Sequence, residues 1–156
     1  KGIIKMNTQA YIDQGYIDFN DGVEFQYNHE AANCFGCNYT STVMRGSVAH
    51  PYEDDVLLWF PKTDDKQWNN SAVARSGDYF EEKCLNQNPE EVKKRLDKVR
   101  NDERKKRIIF FAKERNGTVS YKFLGLYKLV YVDYDDNTTL WKRIATRVKT
   151  YPSKQD

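Results

Sequence analysis

Ile108–Val132, IIFFAKERNGTVSYKFLGLYKLVYV, sets the architecture of this chain. Ile108–Lys113 opens with β-branched and aromatic residues that suit a pleated, buried strand. Asn116-Gly117 then supplies the residue pair that a tight hairpin turn demands, because both of its central positions need positive φ. Beyond the turn the pattern alternates. Val119, Tyr121, Phe123, Tyr127, Leu129 and Tyr131 fall on one face, with Gly125 among them. A glycine inside so long a strand predicts a bulge or bend, the device that curls a sheet toward a barrel.

Working outward, Asp133–Asn137 reads as a turn and Leu140–Tyr151 as a last strand. On the other side, residues 89–106 predict one clear basic helix. Asn88 can cap it, Pro89 suits its first position, and Glu90 and Glu91 suit its positive end. Val92, Leu96 and Val99 give it a narrow apolar stripe, and Lys105, Lys106 and Arg107 are placed at its negative end. Val56–Phe60, closed by Pro61, predicts a buried strand, and 63–77 reads as loop. Near the start, Thr8–Gln14 offers one or two helical turns and Asn20-Asp21-Gly22 a turn. The expected class is α+β: a curled, partly closed β-barrel with flanking helices. Residues 51–156 form the barrel domain and 1–50 an N-terminal extension packed on it.

A chain of 156 residues with 14% aromatic side chains can bury a core of its own and is not disordered. No apolar run approaches the roughly 18 residues of a membrane span, and the first apolar patch is only Ile3-Ile4, so neither a span nor a secretory signal is expected. Three cysteines, an odd number, point to a reducing compartment. Charge is uneven. Residues 1–82 carry 6 basic and 13 acidic side chains, net −7, and residues 83–156 carry 19 and 10, net +9. A cationic second half fits a polyanionic partner.

Few residues offer catalysis. There is no nucleophile elbow, phosphate-binding glycine loop or paired-histidine zinc motif, and His29 and His50 are the only histidines. Cys34-Phe35-Gly36-Cys37 could be half of a zinc site completed by His29 and His50 or by Cys84, but the spacing matches no standard finger, and no bound metal or cofactor is expected. Tyr52-Glu53-Asp54-Asp55 and Asp64-Asp65 are acidic pairs that read as solvated loops rather than a magnesium-dependent nuclease centre. More telling are Tyr52, Trp59, Phe60, Trp68 and Tyr79, interspersed with Asn69, Asn70, Arg75, Ser76 and Asp78. Aromatic faces stack on a nucleobase while amides and carboxylates read its edge. The cations form two groups that could track phosphates. One lies on the helix (Lys93, Lys94, Arg95, Lys98, Arg100, Arg104). The other lies on the last strand (Lys142, Arg143, Arg147, Lys149), where Arg143, Arg147 and Lys149 share the face of Trp141.

Tyr121–Val130 followed by Trp141-Lys142-Arg143 resembles the paired signature strands of SRA (YDG) domains, a Y-D-G-I-Y-x-V strand and then a W-x-R strand. Upstream, Tyr52-Glu53-Asp54-Asp55 resembles the Y-E-D-D of the SRA base pocket, in the same chain order. Leu124 stands where the signature has Asp, and Pro51 replaces a Gly. The stretch 108–130 is equally similar to the wider PUA-like superfamily of bacterial restriction proteins. The resemblance implies a barrel that binds double-stranded DNA and flips a modified cytosine, methylated or hydroxymethylated, out of the stack. Tyr52 would stack on the base and Asp55 would accept a hydrogen bond from its edge. Trp59, Trp68, Asn69 and Tyr79 complete the expected pocket. Lys93, Lys94, Lys98, Lys142, Arg143, Arg147 and Lys149 are the expected backbone contacts. The resemblance implies a non-catalytic reader in the bacterial cytoplasm, the targeting part of a restriction or defence protein, with a linked or partner nuclease and a homodimer left open. An RNA-binding PUA-like module and a protein-interaction domain are the alternatives.

Overall fold

A computed structural model describes residues 6–62, 68–73 and 77–154, with the backbone alone for 68–73. The described residues are mostly strand, with three helices among them. In order these are α1 (Thr8–Gln14), β1 (Tyr16–Asp18), a 3-10 turn (Phe19–Asp21), β2 (Glu24–Phe25), α2 (Asn28–Asn33), β3 (Ser47–Ala49), β4 (Val56–Trp59), β5 (Trp68–Val73), β6 (Tyr79–Cys84), α3 (Pro89–Asn101), β7 (Lys106–Arg115), β8 (Thr118–Asp133), β9 (Thr138–Ala145) and β10 (Arg147–Lys149).

The main sheet runs β3-β4-β7-β8-β9-β6-β5, with β2 added along β8; β1 and β10 form a separate pair. Among the described residues no ladder joins β3 to β5, so the sheet path stays open where a partly closed barrel was expected. All pairs are antiparallel except β4–β7, which is parallel and therefore needs a crossover; α3 lies in that crossover.

The hairpin forms where the sequence places it, with Asn116 at φ 54° and Gly117 at φ 79°. The bulge also forms. Ile109 pairs with Gly125 and Phe110 with Phe123, which leaves Leu124 as the extra residue. An extra residue inverts the alternation, and this corrects the single face expected for β8. Tyr121 and Phe123 enter one core, whereas Leu124, Tyr127 and Leu129 pack in the other. β7, which carries no offset of its own, divides cleanly: Ile108, Phe110 and Ala112 on one side, Ile109 and Phe111 on the other. A strand buried on both faces reads as the continuous apolar run seen here.

Residues 6–50 build much of the first core. Tyr11, Ile17, Val23, Phe25, Ala31, Phe35 and Val48 lie in the same cluster as Phe110 and Phe123, and Ile17 pairs with Val148. Other expectations are corrected. The segment 63–77, read as loop, contains strand β5. The last strand is broken at Thr146 into β9 and β10, which belong to different sheets. The helix ends at Asn101, because Asp102 turns extended (ψ 130°) and its carboxylate accepts from the Arg104 amide at 2.8 Å. Lys106 and Arg107 then begin β7, opposite Val56 and Leu57. The start of α3 is as read: Asn88 Oδ1 accepts from the Glu90 and Glu91 amides, at 3.0 and 3.3 Å.

Candidate nucleic-acid interface

The second core opens into a cleft of about 570 Å³ between α3 and residues of β3, β4, β6 and β7. Trp59, Glu82 and Arg107 line its floor, and Arg45, Arg95 and Lys98 line its rim. Each position has a local cause. Trp59 ends β4 facing Phe80 and Trp141, at ring distances of 5.3 and 5.5 Å. Glu82 follows the period-two pattern of β6, where Phe80, Glu82 and Cys84 turn inward and leave it 7% exposed. Arg107 is 8% exposed, its Cζ 4.6 Å from the Trp59 ring and 4.4 Å from the Trp141 ring. Burial pushes the guanidinium down to about 10, against the pull of Glu82 and Asp102, so it stays charged at neutral pH. An aromatic wall, a buried carboxylate and a buried cation in one cleft suit a planar polar ligand.

The expected pocket residues do not all converge there. Trp59 lines the cleft. Trp68 and Asn69 lie on β5, in register with Cys84 and Lys83, and their side chains fall outside the described residues, as do Asp64, Asp65, Arg75 and Ser76 entirely. Tyr79 is on the other face of β6 from Phe80, with Lys142 as its cross-strand partner and Lys142 Nζ 6.0 Å from its ring. Tyr52 stacks on Tyr151 at 4.5 Å, and its hydroxyl donates to the Pro152 carbonyl at 2.9 Å. Asp55 pairs with Lys106 at 3.1 Å, which holds its carboxyl below the usual range. Tyr52 and Asp55 are thus committed to different partners.

The cations divide in the same way. Lys94, Arg95 and Lys98 are exposed on α3, and Lys93 is tied to Asp97 at 2.9 Å. The last-strand cations do not form the common face expected with Trp141, because Ile144 is an extra residue in β9 and β10 is a separate strand. Arg143 has only 8% of its side chain exposed; it donates to the Leu124 carbonyl (3.0 Å) and Asp78 (3.3 Å) and lies over Phe19. Arg147 donates to Asp18 at 3.0 Å and stacks on Tyr16. Lys149 sits 5.0 Å from the Tyr151 ring.

Cys34 is buried, its Sγ 3.4 Å from the Glu30 carbonyl oxygen, and burial raises its thiol to about 12. His29 stacks on Tyr27, while His50 Nδ1 accepts from the Tyr52 and Glu53 amides. No helix among the described residues is long and apolar enough to cross a membrane.

The sequence model of the SET and RING associated (SRA) domain matches residues 10–150. The chain belongs to the SRA family. Among solved structures, this SRA domain is similar to "The 5-Hydroxymethylcytosine-Specific Restriction Enzyme AbaSI", with 33% identity and a TM-score of 0.86 over 96% of this chain and 47% of that one. It thus spans about half the length of AbaSI. A second match is the "DNA recognition domain of the cytosine modification-dependent restriction endonuclease LpnPI", at 16% identity and TM-score 0.37, covering 70% of this chain and 59% of that one. No curated protein matches the sequence.

Reading the residues alone missed Glu82 and Arg107 as site residues. Glu82 had a signal: in YFEEKC it is the charged residue in phase with Phe80 and Cys84. Arg107 had none, because it follows Lys105-Lys106 and looks like the solvated end of a basic helix.

Proposed function

We propose that this SRA domain reads a modified cytosine, the hydroxymethylated base first, in double-stranded DNA, and receives that base in the cleft between α3 and the sheet. The observation that carries this reading is the similarity to AbaSI across 96% of the chain, since that protein is named for 5-hydroxymethylcytosine. The chemistry of the cleft agrees. Trp59 offers an aromatic wall, Glu82 can accept from the exocyclic amine of cytosine, and Lys98 and Arg95 stand at the rim where the backbone would pass. Taking a base out of the stack costs a few kcal/mol, and stacking on an aromatic side chain returns about 1–3 kcal/mol. Trp68 and Asn69, on the neighbouring strand β5, belong to the same proposed region. A linked nuclease segment, outside the half of AbaSI that this chain matches, would cut the DNA in the bacterial cytoplasm.

A second reading places the base at Tyr52 and Asp55, favoured by the Y-E-D-D match. It requires Tyr52 to leave Tyr151 and Asp55 to leave Lys106. The test of extrusion is a duplex with 2-aminopurine stacked beside one hydroxymethylcytosine. A severalfold rise in fluorescence at saturating protein is expected, weakened in Glu82→Gln and unchanged in Asp55→Asn. No rise at saturation overturns extrusion, and loss in Asp55→Asn alone moves the site to Tyr52 and Asp55.

A further inference from the structure

Arg107 is a buried cation whose enclosed Nε has no hydrogen-bond acceptor among the described residues. The indoles of Trp59 and Trp141 lie against its guanidinium, but an aromatic face supplies no lone pair for its five N–H donors. Glu82 and Asp102 act on it through space, and Arg95 opposes them. Buried polar groups in folded proteins are almost always bonded, so an orphan Nε calls for a partner beyond the described residues, and a ligand in the cleft can supply it. The donors belong to a residue that lines the cleft, beside the Glu82 carboxylate.

The two side chains together specify an edge. Cytosine presents, in order, an amine donor at N4 and acceptors at N3 and O2. Thymine and uracil present an acceptor at O4, a donor at N3 and an acceptor at O2. A carboxylate next to a guanidinium is complementary to the first order and clashes with the second, where the carboxylate meets O4 and the guanidinium meets the N3 donor. Resting on the reading of the cleft as the base site, we propose that Arg107 donates to the acceptor edge of the extruded cytosine, N3 and O2, and is the residue that sets cytosine against thymine-type bases. The same donors could instead hold a backbone phosphate, and the experiment separates the two sources.

Wild-type chain and Arg107→Lys are titrated against three duplexes alike except at one base opposite G: 5-hydroxymethylcytosine, cytosine and 5-hydroxymethyluracil. Lysine keeps the charge and loses the planar fork. The wild type is expected to prefer hydroxymethylcytosine over both others. In Arg107→Lys its preference over hydroxymethyluracil falls roughly 10- to 100-fold, while its preference over plain cytosine is kept. Equal weakening for all three duplexes, with the preferences among them unchanged, would mean a phosphate contact and overturn the proposal while leaving the modified-base reading intact. A wild type that does not distinguish hydroxymethylcytosine from cytosine would remove that reading and this proposal with it. Because the lysine variant could fail to fold, the wild type is also titrated with free 5-hydroxymethyl-2′-deoxycytidine and, separately, with inorganic phosphate. Trp59 and Trp141 flank Arg107, so the nucleoside should shift tryptophan emission and phosphate should not. The reverse result overturns the proposal on unaltered protein.

Discussion

Gly125→Ala tests the bend that shapes both cores. Gly125 has φ +127°, and a Cβ added there would lie 2.6 Å from the Ala145 carbonyl oxygen and 2.8 Å from Arg143 Cδ. The oxygen is backbone of β9, whose residue Ala145 pairs with Leu126, so it cannot withdraw without opening that ladder. Arg143 is held in turn by the Leu124 carbonyl and Asp78. The strained φ costs about 1–3 kcal/mol, and forcing an extra carbon into the packed strand pair costs about 1–3 kcal/mol. Restricting the unfolded chain returns about 0.4–1 kcal/mol. The net loss is about 1–5 kcal/mol, or a fall in Tm of roughly 2–20 °C for a chain of this size. Gly22→Ala is the control: φ is +64° there, with nothing within 4 Å of the added carbon, so only strain of about 1–2 kcal/mol applies. Urea unfolding followed by tryptophan fluorescence measures both. A loss below about 1 kcal/mol for Gly125→Ala, or one no larger than for Gly22→Ala, would refute the tight bend.

His50 predicts an acid-sensitive step. Burial holds its folded pKa below 6.5, and Nδ1 accepts from two amides only while unprotonated. Its contribution is therefore full above pH 6.5 and is lost as pH falls through the folded value, so the urea midpoint should drop over that window and His50→Asn should flatten the drop. Lys94→Glu with Lys98→Glu, both on exposed positions of α3, should weaken binding to every duplex and lower the salt slope by about one for each phosphate no longer neutralised, with unchanged circular dichroism. Asp55→Asn removes an exposed ion pair with Lys106 and should cost no more than about 1 kcal/mol of stability, read by urea unfolding, with preference between modified and unmodified duplexes intact.

The elements dictated by local chemistry were legible. Asn116-Gly117 made the hairpin, Gly125 marked the bulge, and Asn88-Pro89 started α3. What failed depended on pairing at long range. The alternation in β8 could not reveal that Leu124 is extra, so Tyr121 and Tyr127 were assigned one face although they serve two cores. Helix propensity ran past Asn101, because the parallel ladder that captures Lys106 and Arg107 brings in β4, some fifty residues earlier. For the site, cation counting placed Arg143 on a surface, whereas the fold buries its side chain against the Leu124 carbonyl and Asp78; Arg147 does stay exposed, but paired with Asp18. Arg107, counted among helix-end charges, entered the core because Trp59 and Trp141 offer it two aromatic faces.

This SRA domain is proposed to distinguish one modified cytosine from its unmodified parent. The direct measurement is a competition titration at fixed ionic strength, in which a labelled duplex carrying a single 5-hydroxymethylcytosine is displaced by unlabelled duplexes that differ only at that base. The hydroxymethylated competitor should displace the label at least about tenfold more effectively than the unmodified one, a difference of about 1.4 kcal/mol. Equal displacement by the two competitors would contradict it.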